Sequence, residues 1–176
     1  MRIIGLVGGP ESGGRTSTAV AEVLAGTGAD TELVELSRTD GPALAAALAE
    51  ADAVIFGSPV YRATYSAVLK SVLEDTERGT WGETSAPLQG KAAATVLTGA
   101  SAHHFLAMND LRNVLAGFFA VQVLSPGLYL DHGAYLDRVT LTEDAAALAK
   151  AHGAALADLA AAVRASRALA ALTPQV

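Results

Sequence analysis

The chain has 176 residues, 51% of them hydrophobic, with no cysteine and a formal net charge of -6, which is enough for one domain with a sizeable core. Without cysteine there is no disulfide, thiol nucleophile or thiolate metal site, so redox chemistry must belong to a bound cofactor. A pI near 5.1 and the lack of any Lys or Arg cluster exclude the electrostatic footprint of a nucleic-acid binder.

No segment reaches the roughly eighteen continuous apolar residues of a membrane span. The apolar start is short and gives way to Gly, Pro and Glu, unlike a secretory signal. The expectation is a cytoplasmic protein with a small ligand, engaging neither membrane nor nucleic acid.

In chain order, "RIIGLV" (2–7) reads as a first strand. A glycine-rich turn and a helix from Thr16 to Leu24 follow, with Thr16 or Ser17 as the expected N-cap. "TELVEL" (31–36) is a second strand, Pro42 to Ala51 a helix, "AVIFG" (53–57) a third strand and Ser66 to Asp75 a helix. Residues 76–90 form a polar, Gly- and Pro-containing connection, a loop inside the domain rather than a linker. "AAATVLT" (92–98) is a fourth strand and His104 to Phe118 a helix. "AVQVL" and "GLYL", within 120–130, together make a fifth.

A long alanine-rich helix closes the chain from about Glu143 to Leu172; its propensity and apolar spacing point to packing, not to cofactor contact. The tail "LTPQV" is expected to fray. Regular alternation of strand and helix predicts a parallel sheet covered on both faces, a three-layer α/β fold in a single domain, 1–176.

Ligands of open parallel sheets bind beyond the carboxyl ends of the strands, where strand order reverses. That rule selects the loops "GGPESGGRTST", "GSPVYRATYS" and "TGASAHH", after strands one, three and four. The first offers Gly, Ser and Thr at a helix N-terminus, where free N–H groups and the helix dipole favour a phosphate. It differs from the phosphate loop of nucleotide hydrolases in having Arg15 for lysine, and no later strand ends in a Mg²⁺-holding aspartate. The dinucleotide pattern G-x-G-x-x-G is absent.

The stretch "SPVYRATYSAVLKSVLED" strongly resembles the signature of the NADPH-dependent FMN reductases, a flavodoxin-like family that supplies reduced flavin to two-component monooxygenases, including sulfonate-utilising ones. "GGPESGGRT" is similar to that family's phosphate loop, "TGASAHHFLAMNDLRNVL" to its third loop and the helix after it, and "SPGLYL" to its last strand. The resemblance spans roughly residues 3 to 135, the loop at 58–70 being the most diagnostic. It implies a flavodoxin-like fold with a five-stranded parallel sheet in the order 2-1-3-4-5.

The resemblance also implies the cofactors, FMN and NADPH or NADH, and the roles of residues. Gly9, Gly14, Arg15, Thr16, Ser17 and Thr18 would hold the FMN phosphate and the start of the ribityl chain. Pro59, Val60, Tyr61 and Arg62 would lie along the isoalloxazine edge, with Tyr61 near the ring or else simply packed. Thr98, Gly99, Ala100 and Ser101 would face the N1/O2 side, where negative charge grows on reduction. The chain departs from the family pattern at Pro10 and Glu11, which lose a positive charge and add an acid, and at Gly14, where a serine is common. Looser phosphate binding would suit an enzyme that releases its flavin.

Hydride would pass from the nicotinamide to flavin N5, with no side-chain acid or base required. His104 matches a family histidine whose role stays open, and His103 has no counterpart. No metal site is expected, His132 and His152 lying far along the chain. Arg62, Arg78 and Arg112 are each either a contact for a nicotinamide phosphate or a solvated charge. The helices at 66–75 and 104–119, the second with Phe105, Phe118 and Phe119, carry more apolar surface than one sheet face needs, which suggests a homodimer or homotetramer. Two rival functions share the fold: a reductase of quinone, azo dye or metal ion with tightly bound FMN, and a non-catalytic flavodoxin-type carrier.

Overall fold

A computed structural model describes residues 1–175; of the tail expected to fray, Val176 lies outside the described residues. Its centre is a parallel sheet built on β1 (Arg2–Val7), β2 (Asp30–Glu35), β3 (Ala53–Tyr61) and β5 (Ala92–Thr98). The expected fifth strand is present in two pieces, β6 (Gln122–Val123) and β7 (Leu128–Leu130), which pair with the first and last residues of β5. Ser125 and Pro126 lie between them; proline cannot donate to a ladder and is tolerated at a sheet edge. With the short β4 (Thr64–Tyr65) returning antiparallel on β3, the sheet counts seven strands where five were expected. Its order, β2-β1-β3-β5 and then the split edge, is the expected 2-1-3-4-5.

The central strands are apolar without alternation because both faces are covered. On one face, α1 (Arg15–Gly26) and α5 (Glu143–Ala165) bury Val20, Val23, Leu156 and Val163 against Ile3, Ile55 and Val96. On the other, α2 (Gly41–Glu50), α3 (Ala67–Asp75) and α4 (Ala107–Asn113) bury Leu48, Leu69 and Leu111 against Ile4, Phe56 and Leu97. By length and composition α5 could cross a membrane. Its Ala145, Ala149, Gly153, Leu156, Ala160 and Val163 instead form one buried stripe at helical spacing.

Strand β3 runs past its expected end at Gly57 to Tyr61, and three helices also differ from expectation. Helix α1 starts at Arg15 with Gly14 as N-cap and no side-chain cap, because the hydroxyls expected to cap it bond elsewhere: Thr16 to Thr98 and Ser17 to Glu35. The expected helix from His104 to Phe118 is a 3-10 turn at Ala102–His104, then α4, then a π-helical turn over Val114–Phe118. The closing helix breaks at Ser166, whose extended backbone ends α5 and whose hydroxyl oxygen accepts from Leu169 N to cap a short α6 (Arg167–Ala170). A capping serine there outweighs the alanine propensity around it.

Candidate functional site

The carboxyl ends of β1, β3 and β5 open into one cleft of about 520 Å³. Its floor is held by short polar links between loops distant in sequence. Gly8 N donates to Gly57 O at 2.8 Å, and Ser66 Oγ donates back to Gly8 O. Ser58 Oγ accepts from Ser66 N at 2.8 Å, so both serines are buried in tying the second loop to the first. The buried Thr16 and Thr98 hydroxyls bond each other at 2.7 Å and fasten the start of α1 to the end of β5.

Eleven of the residues singled out from the sequence line this cleft: Gly9, Gly14, Arg15, Thr16 and Ser17 from the first loop, Pro59, Val60 and Tyr61 from the second, and Thr98, Gly99 and Ala100 from the third. Thr18, Arg62 and Ser101 are not among the lining residues. Thr18 is one turn into α1, and the Ser101 carbonyl accepts from Tyr129 Oη at 2.7 Å. The same tyrosine explains Gly99, since a Cβ there would run into the Tyr129 hydroxyl.

The second loop is a hairpin, Val60 facing Tyr65 and Tyr61 facing Thr64, closed by Arg62 and Ala63 alone. Both closing residues have positive φ, 52° and 66°, as a turn that matches strand twist demands. Holding non-glycine residues there costs on the order of 1 kcal/mol each. The strain is offset by Ser58, Ser66 and the buried Tyr65, and the hairpin sets Tyr61, 51% exposed, on the wall of the cleft.

At the first-loop end the donors divide. Gly13 N and Ser17 Oγ point away from the cleft to Glu35 Oε1, at 3.1 and 2.7 Å. Arg15 stays on the cleft wall, its guanidinium 5.2 Å from the centre of the Tyr135 ring. Tyr135 Oη donates to the Arg15 carbonyl at 3.0 Å, and burial pushes the phenol's pKa well up, which keeps it a neutral donor. Arg15 Nε is buried without a hydrogen-bond partner. A buried guanidinium N–H with nothing to donate to, beside a helix N-terminus with no acidic residue in its first turn, fits a phosphate.

Five lining residues were not picked from the sequence as binding residues: Val7, Pro10, Glu11, His132 and Arg138. The last two come from the irregular segment after β7, and Arg138 reaches across to Glu11 at 3.4 Å. Following the carboxyl-end rule to the last strand would have found that segment. Of the arginines weighed for a nicotinamide phosphate, Arg78 packs on the Phe118 ring in a separate hollow, Arg112 sits in α4, and Arg62 closes the hairpin beside the cleft. His103 and His104 are exposed in their 3-10 turn and do not line the cleft.

A sequence model described as NADPH-dependent FMN reductase matches residues 1–135. The chain is 32% identical over 157 residues to an Escherichia coli protein named FMN reductase (NADPH), across 78% of this chain and 76% of that one. It is 31% identical over 99 residues to the NADH-dependent FMN reductase SfnF of Pseudomonas putida, across 56% of this chain and 49% of the relative. Among solved structures, the apo form of the NADH:FMN oxidoreductase EMOB superposes with a TM-score of 0.73 at 21% identity, covering 96% of this chain and 93% of that one. A WrbA-like flavodoxin from Agrobacterium tumefaciens does so with 0.72 at 19%, covering 92% and 97%; at such identities the likeness speaks for the flavodoxin-like fold. With the family's sequence pattern running from the first strand past the last and its loops gathered round one cleft, the chain belongs to the NADPH-dependent FMN reductase family.

Proposed function

We propose that this NAD(P)H:FMN oxidoreductase takes up FMN as a substrate, reduces it and releases it to a flavin-dependent monooxygenase. The observation that carries the reading is the layout of the cleft: Arg15 with its unpartnered Nε on one side, and the Pro59–Tyr61 edge, set by the strained Arg62–Ala63 turn, on the other. When bound, FMN supplies the ring that accepts hydride. The chain's part is to bind and orient. Arg15 and the N-terminus of α1 hold the phosphate, Pro59 to Tyr61 line one edge of the ring, and Thr98 to Ala100 face the side where charge accumulates.

Release, as opposed to retention, is favoured by what the first loop does not offer. The Thr16 and Ser17 hydroxyls and the Gly13 N–H are committed to protein partners. Fewer free donors mean a weaker hold on a dianionic phosphate.

The deciding experiment follows NADPH and NADH oxidation by apo-protein with and without free FMN. Turnover that rises with FMN and saturates is expected. Turnover independent of added FMN, with flavin still bound after gel filtration, would point instead to a bound-flavin reductase of another acceptor; no turnover would leave a carrier.

The assembly we propose is a homodimer or homotetramer, supported by the exposed Phe105, Leu106 and Phe118 along the α4 segment. Light scattering should give a multiple of the 17.8 kDa chain mass, and a monomeric mass would sink the idea.

A further inference from the structure

We propose that His132, from the turn after β7, is a second ligand of the FMN phosphate and shares it with Arg15. The inference rests on the FMN reading of the cleft and adds a residue that lies outside its three loops.

His132 Nε2 stands 3.4 Å from Arg15 Nη1, and both side chains line the same end of the cleft. Because a guanidinium only donates, Nε2 accepts from Arg15 there, and the imidazole N–H left on Nδ1 stands beside the guanidinium as a second donor for an anion at that end of the cleft. The nearby acids are otherwise engaged: Asp131 Oδ1 accepts from Gly133 N at 2.8 Å, and Glu11 pairs with Arg138 at 3.4 Å. Arg15 Nε adds its buried, unpartnered N–H.

The turn is held in place by contacts that do not involve the imidazole. Tyr135 Oη bonds the Arg15 carbonyl and its ring packs on the guanidinium, while Asp131 caps the 3-10 turn His132–Ala134. His132 itself is exposed; with Nε2 turned to Arg15, its Nδ1 remains available. In this chain the first loop commits Ser17 to Glu35. A donor from the segment after β7 replaces what that loop does not supply.

The test compares FMN with riboflavin, which lacks the phosphate, by quenching of flavin fluorescence in His132→Ala, His132→Asn and the unmodified protein. His132→Ala should weaken FMN by about tenfold, the value of one charge-assisted hydrogen bond, and leave riboflavin unchanged. His132→Asn, which keeps a donor, should recover part of the loss. The phosphorus-31 resonance of bound FMN should move in His132→Ala. An equal loss for both flavins, or no loss for either, overturns the proposal while leaving FMN binding intact. If the unmodified protein does not distinguish FMN from riboflavin, the phosphate end of the cleft is wrongly assigned and the proposal falls with it.

Discussion

Replacing Arg15 with glutamine is expected to weaken FMN binding by about thirty- to a hundredfold, with riboflavin binding unchanged. Hydrogen bonds involving a charged group contribute roughly 1.5–3 kcal/mol, and every 1.4 kcal/mol or so is tenfold in affinity. Arg15 is the cation at the N-terminus of α1 that lines the cleft, and its buried Nε has no protein partner to lose. The substitution removes the stacking on Tyr135, yet the Tyr135 hydroxyl bonds the Arg15 carbonyl, which glutamine also provides. The fold should therefore survive, as a circular-dichroism melt within a few degrees of the unmodified protein would confirm. The loss should exceed that of His132→Ala, because a guanidinium keeps its charge at any working pH. Equal weakening of riboflavin would show that Arg15 shapes the cleft without meeting the phosphate.

The loops after β1, β3 and β5 were legible in the sequence because each is a short run of Gly, Ser, Thr or Pro directly after an apolar strand. The parallel sheet followed from the alternation, and its strand order from the resemblance at "SPVYRATYS". What stayed hidden depends on partners far away in the chain. Thr16 and Ser17 have the composition of a helix cap, and only Thr98 and Glu35, positioned by β5 and β2, turn their hydroxyls elsewhere. The contact of His132 with Arg15 spans 117 positions, and the segment carrying it follows an edge strand split at Ser125–Pro126, where no periodic signal marks it. The π-helical turn at Val114–Phe118 continues the apolar spacing of α4, so periodicity alone reads the two as one helix.

Gly153→Ala should lower stability by roughly 3 kcal/mol, a fall of about 10 °C in the midpoint for a domain of this size, although alanine is the better helix former by about 1 kcal/mol. The two effects have opposite signs, so the outcome decides which governs. Helices α1 and α5 meet backbone to backbone: a Cβ on Gly153 would collide with the Val23 carbonyl and lie 3.0 Å from the Gly26 carbonyl carbon, and a Cβ on Gly26 would collide with the Lys150 backbone. Backbone atoms cannot rotate aside as a side chain can, so the helices must separate and open the stripe of Val23, Leu156 and Val163. A stabilised Gly153→Ala would refute the close crossing. The consequence reaches the cleft, because α1 begins at Arg15. Helices forced apart near Val23 and Gly26 tilt α1, which strains or breaks the Thr16–Thr98 bond and the Tyr135 contact that hold its first turn. Gly153→Ala should thus weaken FMN as well as the fold, whereas Arg15→Gln weakens FMN alone.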